Sequence, residues 1–127
     1  MDTIEIKEDC KVIIAQKAML DNSNFFDVAM TNAKIVEANL SDLEIGSAQL
    51  GGAYIHNIGM PPKDHPMYDP EARQRPLRFE DCDLHGSTIT NCDLGEVELI
   101  DCNIKGLKIN GILIEELLNQ YTVGKSS

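Results

Sequence analysis

Apolar residues recur every five positions between Leu20 and Met60. The residues in this series are Leu20, Phe25, Met30, Ile35, Leu40, Ile45, Leu50, Ile55 and Met60. The residue two positions earlier is mostly small and apolar, as at Ala33, Ala38 and Ala48. A period of five matches neither the 3.6-residue period of a helix nor the two-residue period of a strand. It matches a square solenoid in which each five-residue unit forms one wall and one corner.

In such a solenoid, two residues of each unit point into a narrow tube. The larger residue fills the interior, and the smaller one lies where adjoining walls approach each other. Polar residues point outward or form the corners, where Asn, Asp, Ser and Gly bind backbone groups or adopt unusual torsion angles. Four units close one coil, so we expect Leu20 to stack on Leu40 and Ile35 to stack on Ile55.

The same period returns in a second run, at Phe79, Leu84, Ile89, Leu94, Leu99, Ile104 and Ile109. Cys82, Cys92 and Cys102 occupy the small inward position of this run. We expect them to be buried filler, because a free cysteine behaves as a small apolar residue and zinc sites need closer ligand pairs. Cys82 and Cys102 would lie one coil apart, which leaves a disulfide between them open. Cys10 lies outside the repeats and is the expected reactive thiol.

The units Ala38-Asn39-Leu40-Ser41-Asp42 and Cys82-Asp83-Leu84-His85-Gly86 resemble the A(D/N)LXX pentapeptide repeat. The resemblance covers about two-thirds of the chain. It implies the fold of similar members of that family, an all-β, right-handed quadrilateral β-helix. The number of repeats gives about four coils, and a spacing of roughly 4.8 Å per coil gives a body of about 20 Å.

We predict a single domain with five segments. They are an N-terminal cap (1–17), a first repeat run (18–60), a loop insertion (61–76), a second repeat run (77–111) and a C-terminal helical cap with a tail (112–127). The cap holds two β-type runs, at residues 2–8, with Ile4 and Ile6 on one face, and at residues 11–14.

The loop and the C-terminus depart from the repeat for different reasons. The loop holds all five prolines of the chain, and proline lacks the N–H group that a wall requires. The C-terminal segment has helical spacing at Ile114, Leu117, Leu118 and Tyr121. We therefore predict a short helix that covers the last coil.

The net charge of -10 and the pI of about 4.6 argue against direct nucleic-acid binding, which needs a basic surface. Outward Asp and Glu residues on the four walls give an acidic body. The N-terminus lacks the pattern of a signal peptide, and no apolar run is long enough to span a bilayer. We therefore expect a cytoplasmic protein without membrane contact.

The loop and the residues just past it supply the candidate partner-binding residues His65, Tyr68, Arg73, Arg75 and Arg78. His65 follows Asp64, and a His–Asp pair can serve acid–base chemistry. No nucleophile motif, phosphate-binding loop or paired-ligand spacing accompanies this pair. We therefore predict no catalytic, cofactor-binding or metal-binding residue. His56 and His85 lie at outward positions, where solvated side chains are the default.

Three functions stay open. The first is a non-catalytic scaffold that presents a surface to an unknown protein partner. The second follows from the resemblance, because some pentapeptide-repeat proteins are similar to B-DNA in shape and charge and bind type II topoisomerases such as gyrase. Four coils are short for that role. The third is a small enzyme or metal protein that uses the loop. We expect a monomer or a homodimer joined end to end at the C-terminus.

Overall fold

The computed structural model describes residues 2–126 and the side chains of residues 2–121. Its regular elements are β1 (Lys108–Ile109), β2 (Ile112–Leu113) and α1 (Ile114–Ser126). The two strands are antiparallel, with Lys108 opposite Leu113 and Ile109 opposite Ile112. The chain divides into two units, Met1–Asn57 and Ile58–Ser127.

In the unit Met1–Asn57, each five-residue repeat ends at a residue whose backbone is in the left-handed conformation. The backbone angle φ is positive at Lys17, Asn22, Asp27, Asn32, Glu37, Asp42, Ser47, Gly52 and Asn57. Each of these corners after Lys17 lies two residues after a position of the five-residue series, as Asn22 does after Leu20. Left-handed torsions cost most L-residues about 1–2 kcal/mol but suit Gly and are tolerated by Asn and Asp. Most of the corners therefore hold Asn, Asp or Gly.

Two kinds of corner alternate along this unit. Every second corner is a turn closed by a backbone hydrogen bond. These bonds are Ser23 N to Leu20 O (3.3 Å), Ala33 N to Met30 O (3.2 Å), Leu43 N to Leu40 O (3.1 Å) and Ala53 N to Leu50 O (2.9 Å). The third residue of each turn has positive φ, which is the type II pattern. The corners between them, at Asp27, Glu37 and Ser47, are bends, so the backbone repeats every ten residues.

The unit Ile58–Ser127 follows the same scheme after the loop. Positive φ recurs at Asp81, Gly86, Asn91, Glu96, Asp101, Gly106 and Gly111. The turn bonds are Ser87 N to Leu84 O (3.0 Å), Val97 N to Leu94 O (3.1 Å) and Leu107 N to Ile104 O (3.0 Å). Both runs therefore have positive-φ corners at five-residue spacing and hydrogen-bonded turns at ten-residue spacing.

A hairpin leads the second run into the C-terminal helix. Asn110 and Gly111 join β1 to β2, and both have positive φ, as a type I′ turn requires. The Ile114 amide donates to the Leu107 carbonyl at 3.0 Å, which ties the start of α1 to the last repeat turn. Glu115 lies in the first turn of α1, where a carboxylate is favoured by the helix dipole, and its Oε1 accepts from the Gly106 amide at 3.3 Å. The predicted C-terminal helix is confirmed.

The structure differs from the sequence expectations in its strands and its core. The predicted β runs at residues 2–8 and 11–14 are wrong, because neither forms a strand. Ile35 and Leu40, expected in the interior, are 62% and 45% exposed. Among the residues described, no side chain is buried and β1–β2 is the sole strand pair. The reason is geometric, since the turn bonds join residues that are only three apart, whereas the apolar side chains need a neighbouring coil to cover them. The stacked solenoid is thus not confirmed.

Gly52→Ala tests the left-handed corner. The residue has a φ of +79°, and an added Cβ would find no atom within 4 Å, so only the backbone is strained. We expect the free energy of unfolding to fall by about 1–2 kcal/mol. Urea titration followed by far-ultraviolet circular dichroism measures it.

The matched control is Gly51→Ala, one residue earlier in the same turn. An added Cβ there also meets open space, and the φ of Gly51 lies outside the left-handed region. The control should leave stability unchanged or raise it by about 0.4–1 kcal/mol, because alanine restricts the unfolded chain. Equal effects of the two substitutions would contradict a left-handed corner at Gly52.

Candidate functional site

Three consecutive β-turns shape the loop. Their backbone bonds run from His65 N to Pro62 O (2.9 Å), from Tyr68 N to His65 O (3.0 Å) and from Ala72 N to Asp69 O (3.2 Å). Pro66 and Pro70 take the second position of the second and third turns. The fixed φ of proline suits this position. The prolines that exclude the segment from a wall therefore help to give it a defined shape.

Two side chains of the loop fix the turns that they begin. The Met67 amide donates to His65 Nδ1 at 3.0 Å, and the Glu71 amide donates to Asp69 Oδ1 at 2.9 Å. In both cases a side chain accepts from the amide two residues later, which is a local turn-forming bond. Because His65 Nδ1 accepts, its proton is on Nε2, which is left as a donor. Nδ1 is thereby engaged by the backbone rather than by Asp64.

The Arg73 side chain stabilises the third turn. Its Nη1 donates to the carbonyl oxygens of Pro70 and Ala72, each at 3.0 Å. The guanidinium group has five N–H donors, so these bonds leave part of its binding capacity unused. The Arg78 side chain lies 3.8 Å from Glu80, and both side chains are largely exposed, so this ion pair is weak. Arg75 is also exposed.

The loop brings some of the predicted site residues together and leaves others apart. His65 and Tyr68 are the first and fourth residues of one turn, which places them close to each other. Tyr68 is 38% exposed, whereas the neighbouring Met67 is 74% exposed. Arg73 belongs to the next turn, and Arg78 lies beyond the turns, beside the first residue of the second run.

The described residues hold no cluster of three or more His, Cys, Asp or Glu side chains arranged for a metal ion. No helix within residues 2–126 has the length and apolarity needed to cross a membrane.

The cysteines correct a prediction. Cys82, Cys92 and Cys102, expected to be buried, are exposed free thiols, as is Cys10. Each of the three repeat thiols donates to the carbonyl oxygen two residues earlier, at Sγ–O distances of 3.3, 3.4 and 3.4 Å. They are uncovered for the same reason as the apolar series, because no second coil packs against them.

Cys10 lies in a small polar cluster near the N-terminus. Its amide donates to Asp9 Oδ1 at 2.8 Å, and Asp9 Oδ2 lies 3.0 Å from Lys11 Nζ. The hydrogen bond from Lys11, and then the one from the Cys10 amide, hold the pKa of the Asp9 carboxyl below its ordinary value. A carboxylate therefore stays beside this exposed thiol.

Sequence reasoning missed one aromatic contact. The rings of Tyr54 and His56 stack, with centroids 4.2 Å apart and planes inclined by 18°. His56 Nδ1 also donates to Asn57 Oδ1 at 2.8 Å. The two rings flank Ile55, and residues two apart share a face of an extended segment. Side chains alternate in direction along an extended unit, and this two-residue period would have predicted that the two rings lie on one face.

Residues 78–113 match the family described as pentapeptide repeats, in 8 copies. The matched segment starts at Arg78 and includes all the left-handed corners from Asp81 to Gly111. Residues 78–113 therefore carry pentapeptide repeats, which confirms the resemblance for this segment. The comparison with curated proteins and the comparison with solved structures each found no match.

Asp69→Ala tests the order of the loop. Removal of the carboxylate frees the Glu71 amide, and we expect its hydrogen exchange to rise about fivefold, since such a bond contributes about 1 kcal/mol. Exchange is measured residue by residue by nuclear magnetic resonance. Asp69→Asn is the matched control, because its amide oxygen still accepts the bond without the charge. The same exchange rate in both variants would show that the turn does not depend on this acceptor.

Proposed function

We propose that this protein is a non-catalytic pentapeptide-repeat scaffold that binds a protein partner through residues 61–78, the interaction loop. The observation that carries the proposal is the series of three turns, of which the second and third are fixed by Pro66, Pro70 and Asp69. These turns support a defined conformation for a segment that the repeat itself does not require.

A defined conformation favours binding because less conformational entropy is lost when the partner docks. The interaction loop also carries the residue types that dominate binding energy at interfaces. Tyr68 supplies an aromatic anchor, and Arg73, Arg75 and Arg78 supply planar charged groups. None of the contacts described above for His65 involves Nε2, which is a candidate donor to the partner.

Charge indicates the kind of partner. The chain has a net charge of -10, yet all three of its arginines lie between residues 73 and 78. An acidic partner would be attracted to this segment and repelled by the acidic remainder, which favours docking on the interaction loop. We therefore propose a protein partner with a pocket for Tyr68 and acidic groups beside it.

The scaffold that we propose within each run is a right-handed quadrilateral β-helix, in which a residue stacks on the residue twenty positions later. The left-handed corners support it, because they turn the chain at the end of each wall. The exposed surface indicates why such stacking would be favourable. The chain exposes 14134 Å², about twice the roughly 6700 Å² of a folded monomer of this mass. Stacking of coils would bury the apolar series, which is exposed at positions such as Ile35 and Leu40.

Replacement of residues 61–76 by a short Gly/Ser turn tests the interaction loop. Because loop-closure entropy varies slowly with length, we expect the free energy of unfolding to change by only about 1 kcal/mol. The variant should fail to capture the proteins that the wild type enriches from host lysate. Tyr68→Ala should lose most of the same capture, whereas Tyr54→Ala, which removes an exposed tyrosine from the repeats, should retain it.

Two outcomes would contradict the proposal. If the loop replacement unfolds the protein, the loop is a structural clamp. If capture is unchanged, the partner binds elsewhere. Inhibition of gyrase supercoiling by the loop-replaced protein would favour the topoisomerase alternative instead.

A further inference from the structure

We propose that Cys82 and Cys102 form a redox pair whose sulfur atoms are joined by exchange with a small disulfide such as oxidised glutathione, while Cys92 stays a thiol. The proposal rests on the coil stacking proposed above for the second run. It does not depend on the interaction loop or on its partner.

The units that begin at Cys82 and Cys102 have nearly the same local geometry. Each thiol donates to the carbonyl oxygen two residues earlier, at 3.3 and 3.4 Å. Each unit closes a turn with a backbone bond of 3.0 Å. The turns contain Gly86 and Gly106, whose φ angles are 74° and 80°.

Side chains repeat between these two units as well. Asp83 Oδ1 accepts from the amide two residues later at 2.9 Å, and Asn103 Oδ1 does so at 3.0 Å. Two segments with the same backbone, the same turn and the same side-chain bond can lie one on the other without a change in register. This equivalence favours in-register stacking of the two thiols.

Spacing then selects the pair. Cys82 and Cys102 are separated by twenty residues, which is one coil of four units, so they would occupy the same wall of neighbouring coils. Adjacent strands lie about 4.8 Å apart, within the range of about 4.4–6.8 Å that a disulfide requires between Cα atoms. Cys92 is ten residues from each of them and would lie on the opposite wall. The unit that begins at Cys92 has similar local geometry. Cys92 is therefore excluded from the pair by its position in the coil and not by its local structure.

The reaction is an ordinary thiol–disulfide exchange that begins while the coils are apart, because the thiols are then exposed to glutathione and stacking would turn them toward the interior. One protein thiolate attacks oxidised glutathione, whose S–S bond breaks and releases one glutathione. The second protein thiolate attacks the protein sulfur of the mixed disulfide and displaces the other glutathione. The bond formed joins the Sγ atoms of the pair. Two electrons pass from the protein thiols to glutathione, and the two protons lost by the protein appear on the two glutathione thiols.

The bond would stabilise the second run. A cross-link over about twenty residues restricts the unfolded chain, and we expect the melting temperature to rise by roughly 10 °C relative to the reduced protein. The redox state of the surroundings would thereby set the stability of the matched repeats.

The experiment equilibrates the full chain, at low micromolar concentration, with mixtures of oxidised and reduced glutathione. A protease that cleaves after glutamate cuts at Glu96 and Glu98 and so separates Cys102 from the other two thiols. Mass spectrometry under non-reducing conditions then detects the cross-linked peptides. We expect Cys92→Ser to form the cross-link as the wild type does and Cys82→Ser to lose it. A cross-link that persists in Cys82→Ser would overturn the proposal.

A second pair separates failure of this proposal from failure of the stacking. Glu80→Cys with Ile100→Cys, in a chain whose own cysteines are serine, places two exposed thiols twenty residues apart. If this pair forms a cross-link and Cys82 with Cys102 does not, the redox pair is wrong and the stacking stands. If neither pair forms a cross-link, both the redox pair and the stacking of coils are wrong. The loop replacement still tests partner binding independently. Circular dichroism of each reduced variant verifies that it is folded like the wild type.

Discussion

A left-handed backbone residue at every fifth position is the constraint on which the rest of the structure depends. It turns the chain after each five-residue unit and keeps the apolar series in a constant position relative to the corner, as at Leu50 and Gly52. It also explains why Asn, Asp and Gly occupy most of the corners, since most other side chains are strained at positive φ. The hairpin at Asn110 and Gly111 uses the same torsion to leave the repeat and enter α1.

The corners bring about local order, whereas the core needs contacts between distant residues. Each hydrogen-bonded turn joins residues three apart, so it forms without help from the rest of the chain. Burial of a residue such as Ile35 needs a second coil, because a five-residue wall offers nothing to cover its own apolar side chain. The interaction loop is independent of both requirements, since its turns are closed by its own prolines, His65 and Asp69. This separation allows a repetitive body to carry a distinctive surface.

The sequence predicted the features that depend on nearby residues. The five-residue period located the corners, and helical spacing located α1. Alternation of turn and bend was missed, because side-chain size does not distinguish the two corners. The hairpin was missed although Asn110-Gly111 is a strong turn signal. The exposure of Cys82 could not be predicted, since burial depends on contacts that no short segment contains. His65 and Tyr68 were selected by residue type, but only the turn between them shows that they are neighbours.

Denaturant unfolding of Ile35→Ala and Val36→Ala tests most directly whether coils stack. The two residues are adjacent, apolar and exposed, at 62% and 74%. Stacking would bury Ile35 beneath the next coil and leave Val36 outside. We expect Ile35→Ala to lower the free energy of unfolding by about 2–5 kcal/mol and Val36→Ala to lower it by less than about 0.5 kcal/mol. Small and equal losses in both variants would contradict the stacked coil.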